Sequence, residues 1–255
     1  MRSASITFDE ALTHYVGEFG SGQKRVVLAS SVLSVSNALA FLLLVFLCHP
    51  DPVLQHHWQC TSEEDYVCLS IWSSSDPVSA GFCALPRDAW CWSSTGSLVA
   101  HLDLVCSSAY KVQLLNTILF VGCFFGSGIF GLLCDKIGRR LPLFIATAAA
   151  AASMFASLAV PAAQQYYWAF ALTRAVAGVA AAGQSQAMFL LVTEVSGPSH
   201  RGIAGTSICL MFTLGEFVLV GLAWALPHWR NLTLAAGLLT AGSLLLFPWV
   251  PESAR

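Results

Sequence analysis

The chain has 255 residues, of which 56% are hydrophobic and only 10% are charged, and its formal net charge is −2. Soluble domains average about 25% charged residues, so this composition predicts an integral membrane protein instead of a soluble domain. The near-neutral charge argues against nucleic acid as a partner, because nucleic acids are bound through strongly basic surfaces.

Six segments are long and apolar enough to cross a bilayer, which needs about 20 mostly apolar residues. The first, over 26–47, follows a polar segment over 1–25 that we predict to be cytoplasmic. It is longer than the apolar core of a signal peptide and lacks a small-residue cleavage site, so we expect no cleaved leader. The predicted spans are 26–47, 112–133, 141–160, 166–191, 203–225 and 231–250.

The predicted fold class is therefore an all-α membrane protein with six transmembrane helices. The first helix is followed by a long polar connection over 48–111, and the other five helices form a bundle over 112–250. A short segment over 251–255 ends the chain as given, and we predict that it is cytoplasmic.

The connection over 48–111 is rich in cysteine. Six of the nine cysteines lie there, a density that indicates disulfide bridges in an oxidising compartment. Spacing alone does not decide the pairing, and Cys48 can instead end the first helix and leave one loop thiol unpaired. The candidate disulfide residues are Cys48, Cys60, Cys68, Cys83, Cys91 and Cys106.

Lysine and arginine are unequally divided between the two sides of the predicted helices. Cytoplasmic segments of membrane proteins carry an excess of these residues. The bias predicts that both termini lie inside and that the cysteine-rich connection is extracellular. The inner set is Arg2, Lys24, Arg25, Lys136, Arg139, Arg140, Arg201 and Arg255, and the outer set is Arg87, Lys111 and Arg230.

The loop after the second predicted helix, over 131–140, reads G-x-x-x-D-K-x-G-R-R. We expect its first glycine to let two helices approach closely and its second to permit a tight turn. The aspartate can cap a helix or pair with an arginine, and the basic residues hold the loop inside. The residues of this signature are Gly131, Asp135, Lys136, Gly138, Arg139 and Arg140.

Two charged residues fall inside predicted helices, Arg174 in the fourth and Glu216 in the fifth. A charge at membrane depth is costly and is functional or paired as a rule. Arg174 is predicted either to serve function or to tie helices together by packing against polar groups. Glu216 is a candidate substrate or proton site, or a protonated buried carboxyl, and the two side chains are a candidate pair.

No catalytic or metal site is predicted. His49, His56, His57 and Cys60 match no standard zinc spacing, so a disulfide cysteine among exposed histidines is the favoured interpretation. No nucleophile–base pair or phosphate-binding loop is present either, so we expect neither an enzyme nor a cofactor.

The 131–140 loop resembles the signature of the major facilitator superfamily, and motifs along the whole chain resemble the organic cation and anion transporters, solute carrier family 22. Asp103-Leu104-Val105-Cys106 resembles the stretch before that family's second helix, with Leu102 where tryptophan is usual. The other similar segments are Phe8-Asp9-Glu10, Val16 to Gly20, Gln23 to Arg25, Lys111-Val112, Arg174 with Gly178 and Gly183, Thr193-Glu194, Pro198 to Arg201, Trp229-Arg230, and Pro251 to Arg255.

This resemblance implies transport of a small organic ion across the plasma membrane by alternating access. The family fold has two halves of six helices, and this chain resembles the N-terminal half. The substrate lies between the halves in such transporters. The implied partners are therefore the lipid bilayer, a small organic ion of unknown identity, and a second transporter half or a second copy of the chain.

The resemblance also implies a cytoplasmic charge network that has a gating and structural role. Glu194, Arg201 and Glu252 flank predicted helix ends on the inner side and join the charges of the 131–140 loop. An alternative function is that of a non-transporting membrane receptor or partner subunit that binds through the extracellular connection.

Overall fold

Six helices of the computed structural model are long and apolar enough to cross a membrane, which confirms the predicted number. The structure describes residues 20–48, 58–61, 66–73, 81–92, 96–161 and 163–251. In chain order its elements are α1 (Ser21–Leu47), β1 (Trp58–Cys60), α2 (Tyr66–Trp72), β2 (Trp90–Trp92), α3 (Leu98–Leu102), α4 (Tyr110–Ile137), α5 (Arg140–Leu158), α6 (Tyr167–Val195), α7 (Arg201–Ala225) and α8 (Trp229–Gly242), which a 3₁₀ segment over Ser243–Trp249 extends.

Helices α1 and α6 form the centre of the bundle. Helix α4 packs chiefly against α6, α7 packs chiefly against α1, and α5 lies against both α6 and α8. In the most apolar window of each helix, 67% of the residues of α1 are buried, compared with 28% in α4 and 17% in α7. One face of α4 and one face of α7 are therefore left uncovered by the other described residues.

Glycines bring α4 and α6 into backbone contact. A Cβ atom added at Gly122 would lie 2.3 Å from the carbonyl oxygen of Ala175, and one added at Gly178 would lie 2.1 Å from that of Leu119. An approach this close is possible only because the residue that faces the neighbouring backbone is a glycine. Gly126 lies in the same seam, where an added Cβ atom would lie 2.6 Å from the carbonyl oxygen of Val179.

Helices α1 and α7 meet in a second close seam. A Cβ atom at Gly215 would lie 2.8 Å from the Ala38 side chain, and the Ser34 hydroxyl donates a 2.8 Å hydrogen bond to the carbonyl oxygen of Ile208. Because lipid is as apolar as a neighbouring leucine, close packing and buried hydrogen bonds hold such helices together.

The cysteine-rich connection contains a small β-hairpin-like ladder, which the all-α prediction did not include. β1 pairs with β2 in antiparallel register, with Trp58 opposite Trp92 and Cys60 opposite Trp90. Trp58, Trp90 and Phe82 form the centre of an aromatic cluster, with ring centroids 4.7–6.2 Å apart. Aromatic contacts in these geometries stabilise beyond the area that they bury.

Two disulfides close this region, Cys60–Cys68 and Cys83–Cys106. Four of the six candidate disulfide cysteines are therefore paired, and the other two, Cys48 and Cys91, are not. Cys48 ends α1 and is buried there, and the Cys91 thiol on β2 is free, as the alternative for Cys48 implied. Because Cys48 directly follows a buried membrane helix, its thiol is not available to form a disulfide with the loop cysteines.

The connection is docked on the end of the bundle at which α8 begins. The backbone amide of Trp229, at the start of α8, donates a 2.9 Å hydrogen bond to the carbonyl oxygen of Gly96. His101 of α3 packs on Trp229, with the two ring centroids 4.9 Å apart. Burial lowers the pKa of the His101 imidazole. A neutral imidazole suits this contact, because the Arg230 guanidinium lies nearby and also opposes protonation.

We predict that Gly122→Ala destabilises the bundle, because the added methyl group would meet the α6 backbone. Overpacking of this kind costs about 1–3 kcal/mol. Gly128→Ala is the matched control on the same helix, since nothing lies within 4 Å of its added Cβ. Melting of the detergent-solubilised chain, followed by size exclusion, should give a lower transition temperature for Gly122→Ala alone, and equal transitions would contradict the glycine seam.

We also predict that non-reducing peptide mapping recovers two linked peptide pairs, Cys60–Cys68 and Cys83–Cys106, and an alkylatable Cys91. Replacing Cys83 and Cys106 by serine should cost about 2–4 kcal/mol, because the bridge closes a chain loop in the unfolded state. Cys91→Ser is the control and should leave stability unchanged. Recovery of Cys91 in a disulfide would contradict this arrangement.

Candidate functional site

Charged residues from three helix ends meet at the end of the bundle where α4 joins α5. Arg139, just before α5, lies 2.9 Å from a carboxylate oxygen of Glu194 near the end of α6. The same guanidinium lies 3.4 Å from Asp135 on the last turn of α4. The Arg139 and Glu194 side chains are only 14% and 11% exposed, so their pair is shielded from water, whereas that of Asp135 is 72% exposed.

Three arginines at this end also satisfy carbonyl groups at helix ends. Arg139 donates to the carbonyl oxygen of Cys134. Arg140 donates to that of Phe247 at 2.7 Å, and its guanidinium lies 4.0 Å above the Phe247 ring. The last carbonyl groups of a helix lack partners and carry partial negative charge, so cations stabilise them.

Arg201 plays the same part at the end of α6. Its Nε donates to the carbonyl oxygens of Thr193 and Ser196, at 3.0 and 3.2 Å. Gln23 of α1 donates to the carbonyl oxygen of Val195 at 3.0 Å. Predicted charges at this end therefore do meet in space, and a glutamine that the sequence analysis did not single out joins them.

The remaining residues of the signature loop have different environments. Gly138 has φ of 89°, a left-handed conformation that favours glycine and allows the turn into α5. Lys136 is exposed. The expected close helix approach at Gly131 was wrong: an added Cβ atom would meet only the Gln186 side chain, at 3.8 Å, and the close approach lies further up α4. Glu252 lies outside the described residues.

Arg174 lies completely buried in α6 and is the most unusual side chain of the bundle. Its Nε lies 3.4 Å from the Thr173 hydroxyl, and its guanidinium carbon lies 5.1 Å from the Phe170 ring centroid. Neither Nη1 nor Nη2 has a hydrogen-bond partner among the described residues. An arginine that ties helices together would use these two nitrogens, so the geometry favours a role toward something other than the described chain.

The candidate pair between Arg174 and Glu216 does not form. Within the described part of the chain, the ion pairs join Arg87 to Asp103 and Arg139 to the two carboxylates above. Glu216 follows Gly215, which faces α1, and its side chain is half-buried at the border between the α1–α7 seam and the uncovered face of α7. It is therefore placed beside the open side of the bundle.

Buried polar groups between α1 and α6 form a feature that the sequence analysis missed. Gln184 of α6 donates 3.0 Å hydrogen bonds to the carbonyl oxygen of Leu33 and to the Ser36 hydroxyl. Its own carbonyl oxygen, like that of Asn37, has no partner among the described residues. The polar residues that interrupt the apolar run of α1 were the available signal.

The buried and paired polar groups of the bundle are of three kinds. Among the described residues, no group of three or more histidine, cysteine or acidic side chains is placed to hold a metal ion. The histidines at 49, 56 and 57 lie outside those residues. What the bundle offers is a buried guanidinium, orphaned amide oxygens and a shielded ion pair at one end.

Comparison with known proteins shows the family. The sugar (and other) transporter family matches residues 54–255. The chain is 30% identical over 98% of its length to organic cation/carnitine transporter 4 of Arabidopsis thaliana, covering 44% of that protein. It is also 30% identical to solute carrier family 22 member 1 of Bos taurus, with 98% of this chain and 50% of that protein covered. The chain thus spans about half the length of these relatives.

Solved structures of low sequence identity share the fold. An inward-open structure of the xylose transporter XylE from E. coli matches with a TM-score of 0.58 and 15% identity, over 91% of this chain and 48% of XylE. The human organic anion transporter MFSD10 matches with a TM-score of 0.57 and 19% identity, over 91% of this chain and 49% of MFSD10. The relatives are transporters and not enzymes. The chain belongs to the sugar (and other) transporter family and is a multi-pass membrane protein of the solute carrier family 22 type within the major facilitator fold.

Proposed function

We propose that the chain forms the N-terminal half of a transporter of small organic ions and that transport requires a second six-helix unit. The observation that carries this proposal is the match of 98% of the chain to about half of an organic cation/carnitine transporter. In transporters of this fold the substrate site lies between two repeats that rock about it. One half supplies one wall of such a site.

The uncovered faces of α4 and α7 support the need for a second unit. Large apolar side chains point outward there, among them Phe124, 76% exposed, and Trp224, 89% exposed. A second half and a second copy of this chain are the two candidate occupants of these faces. We favour a second half, because the relatives have about twice the length of this chain.

Arg174 is the proposed element of the transport path within this half. A buried charge is stable when it is paired and hydrogen-bonded, and the two Nη nitrogens of Arg174 have no described partner. An anionic group, on the substrate or on the second half, would complete it. Glu216, half-buried beside the open face, is the proposed second polar position.

The ion pair of Arg139 and Glu194 is proposed to form part of a cytoplasmic gate. Together with Asp135 it links the end of α4, the start of α5 and the end of α6, and both side chains of the pair are shielded from water. Asp135 is exposed and belongs to the same cluster, so it can contact a second half when the inner side closes. The proposed orientation has both termini inside and the cysteine-rich connection outside, at the plasma membrane.

A second candidate function is binding through the outer connection. Its two disulfides and aromatic cluster give it a core of its own, which a receptor or partner subunit would use. The transport assay below separates this alternative from the first.

We predict that the purified 255-residue chain in liposomes shows no saturable uptake of an organic cation, anion or zwitterion, with tetraethylammonium, benzoate and carnitine as probes. Co-reconstitution with the C-terminal half of a solute carrier family 22 relative should give saturable uptake. In that sample Asp135→Asn should lower the maximal rate more than it changes the apparent KM. Saturable, inhibitable uptake by the chain alone would contradict the need for a second half.

Arg174 and Arg139 should respond oppositely to substitution by glutamine. Arg174→Gln removes a buried charge that lacks partners, so stability should stay equal or rise. Arg139→Gln breaks a shielded pair and should cost about 1–3 kcal/mol, the range for hydrogen bonds to charged groups and unsatisfied partners. Melting of both variants in detergent is the measurement. A large loss of stability in Arg174→Gln would show that this arginine is a structural tie.

A further inference from the structure

A cavity of about 360 Å³ opens at the end of the bundle where α1 begins and the chain leaves α8. Arg25, Pro248 and Trp249 line it. The next residue after Arg25 is Val26, and the next after Trp249 is Val250. Both valines are 0% exposed and belong to the same apolar cluster. The two walls of the cavity are therefore fixed relative to each other by the buried residues beneath it.

The described residues that line this cavity carry a positive charge. The Arg25 side chain is exposed and forms no hydrogen bond or ion pair within the described part of the chain. Arg140 lies against Phe247, two residues before Trp249, so a second guanidinium adjoins the same 3₁₀ segment. Two described carboxylates at this end, Asp135 and Glu194, are both paired with Arg139. The described lining thus offers a cation and no anion.

The apolar part of the lining suits a lipid. Trp249 is 65% exposed beside the end of a membrane-spanning segment, where indole rings lie at the level of lipid headgroups. Pro248 lacks a backbone N–H and presents an apolar ring. A guanidinium fork binds phosphate oxygens with two parallel hydrogen bonds, and basic pockets between membrane helices on the cytoplasmic side hold anionic headgroups.

We propose that this cavity binds the headgroup of an anionic phospholipid, with Arg25 on the phosphate and Trp249 against the glycerol region. The volume is at the small end of ligand pockets and fits one headgroup, not a folded partner. The described lining includes neither Arg174 nor a member of the Arg139 ion-pair cluster, and this proposal does not depend on the transport proposal. Bound lipid would join the start of α1 to the end of the 3₁₀ segment that extends α8.

Native mass spectrometry of the full 255-residue chain in detergent tests the proposal, with phosphatidylglycerol and phosphatidylcholine titrated separately. The chain should prefer phosphatidylglycerol, and Arg25→Gln should weaken that binding at least about fivefold, the factor that one charge near the surface contributes. Lys24→Gln is the matched control: it removes the same charge one residue earlier and should change binding less than about twofold. The affinity of Arg25→Lys for phosphatidylglycerol should lie between those of the unaltered chain and of Arg25→Gln. Lysine keeps the charge but loses the paired hydrogen bonds of the guanidinium group.

Three results would overturn the proposal. The first is equal binding of the two lipids by the unaltered chain. The second is an equal effect of Arg25→Gln and Lys24→Gln, which would show diffuse surface charge and no seated headgroup. The third is displacement of the lipid by inorganic phosphate at millimolar concentration, which would make a free anion the ligand. If Arg25→Gln does not fold, Trp249→Ala takes its place and should weaken binding of phosphatidylglycerol while leaving the melting temperature unchanged.

Discussion

Helices in a bilayer gain no hydrophobic free energy by packing on each other, so this bundle depends on close backbone contact and buried hydrogen bonds at its two central helices. The glycines of α4 and α6 allow the close backbone contact. The buried hydrogen bonds are made by Ser34, Ser36 and Gln184. Each outer helix is held by a central one. That arrangement leaves α4 and α7 with a free face, and the free faces lead to the proposal of a second half.

The same constraint explains where the charges are. Polar groups cannot be left unsatisfied in lipid without large cost, so Arg139, Arg140 and Arg201 lie at helix ends and bond carbonyl groups that would otherwise lack partners. These bonds connect neighbouring segments at this end of the bundle, which is its predicted inner side. Arg174 is the exception to this pattern, and its two unpartnered nitrogens are the clearest functional signal in the described chain.

Sequence reasoning reached the helices and the family because long apolar runs and spaced loop motifs are local signals. It failed where distant segments decide the outcome. Gly131 and Gly126 look alike in sequence, and only the path of α6 determines which one is in backbone contact. The free thiol of Cys91 and the separation of Arg174 from Glu216 likewise depend on three-dimensional placement. Gln184 was overlooked because an uncharged amide stands out less than an arginine.

The central claim is that the free faces of α4 and α7 contact protein and not lipid. Photo-crosslinking in native membranes tests it directly, with a benzophenone side chain at Phe217 of α7, which is 69% exposed, and at Leu238 of α8, which is 58% exposed. The account predicts a discrete protein adduct from Phe217 and only lipid adducts from Leu238. Lipid adducts alone from both positions would show that the open face is a lipid-facing surface and would contradict the account.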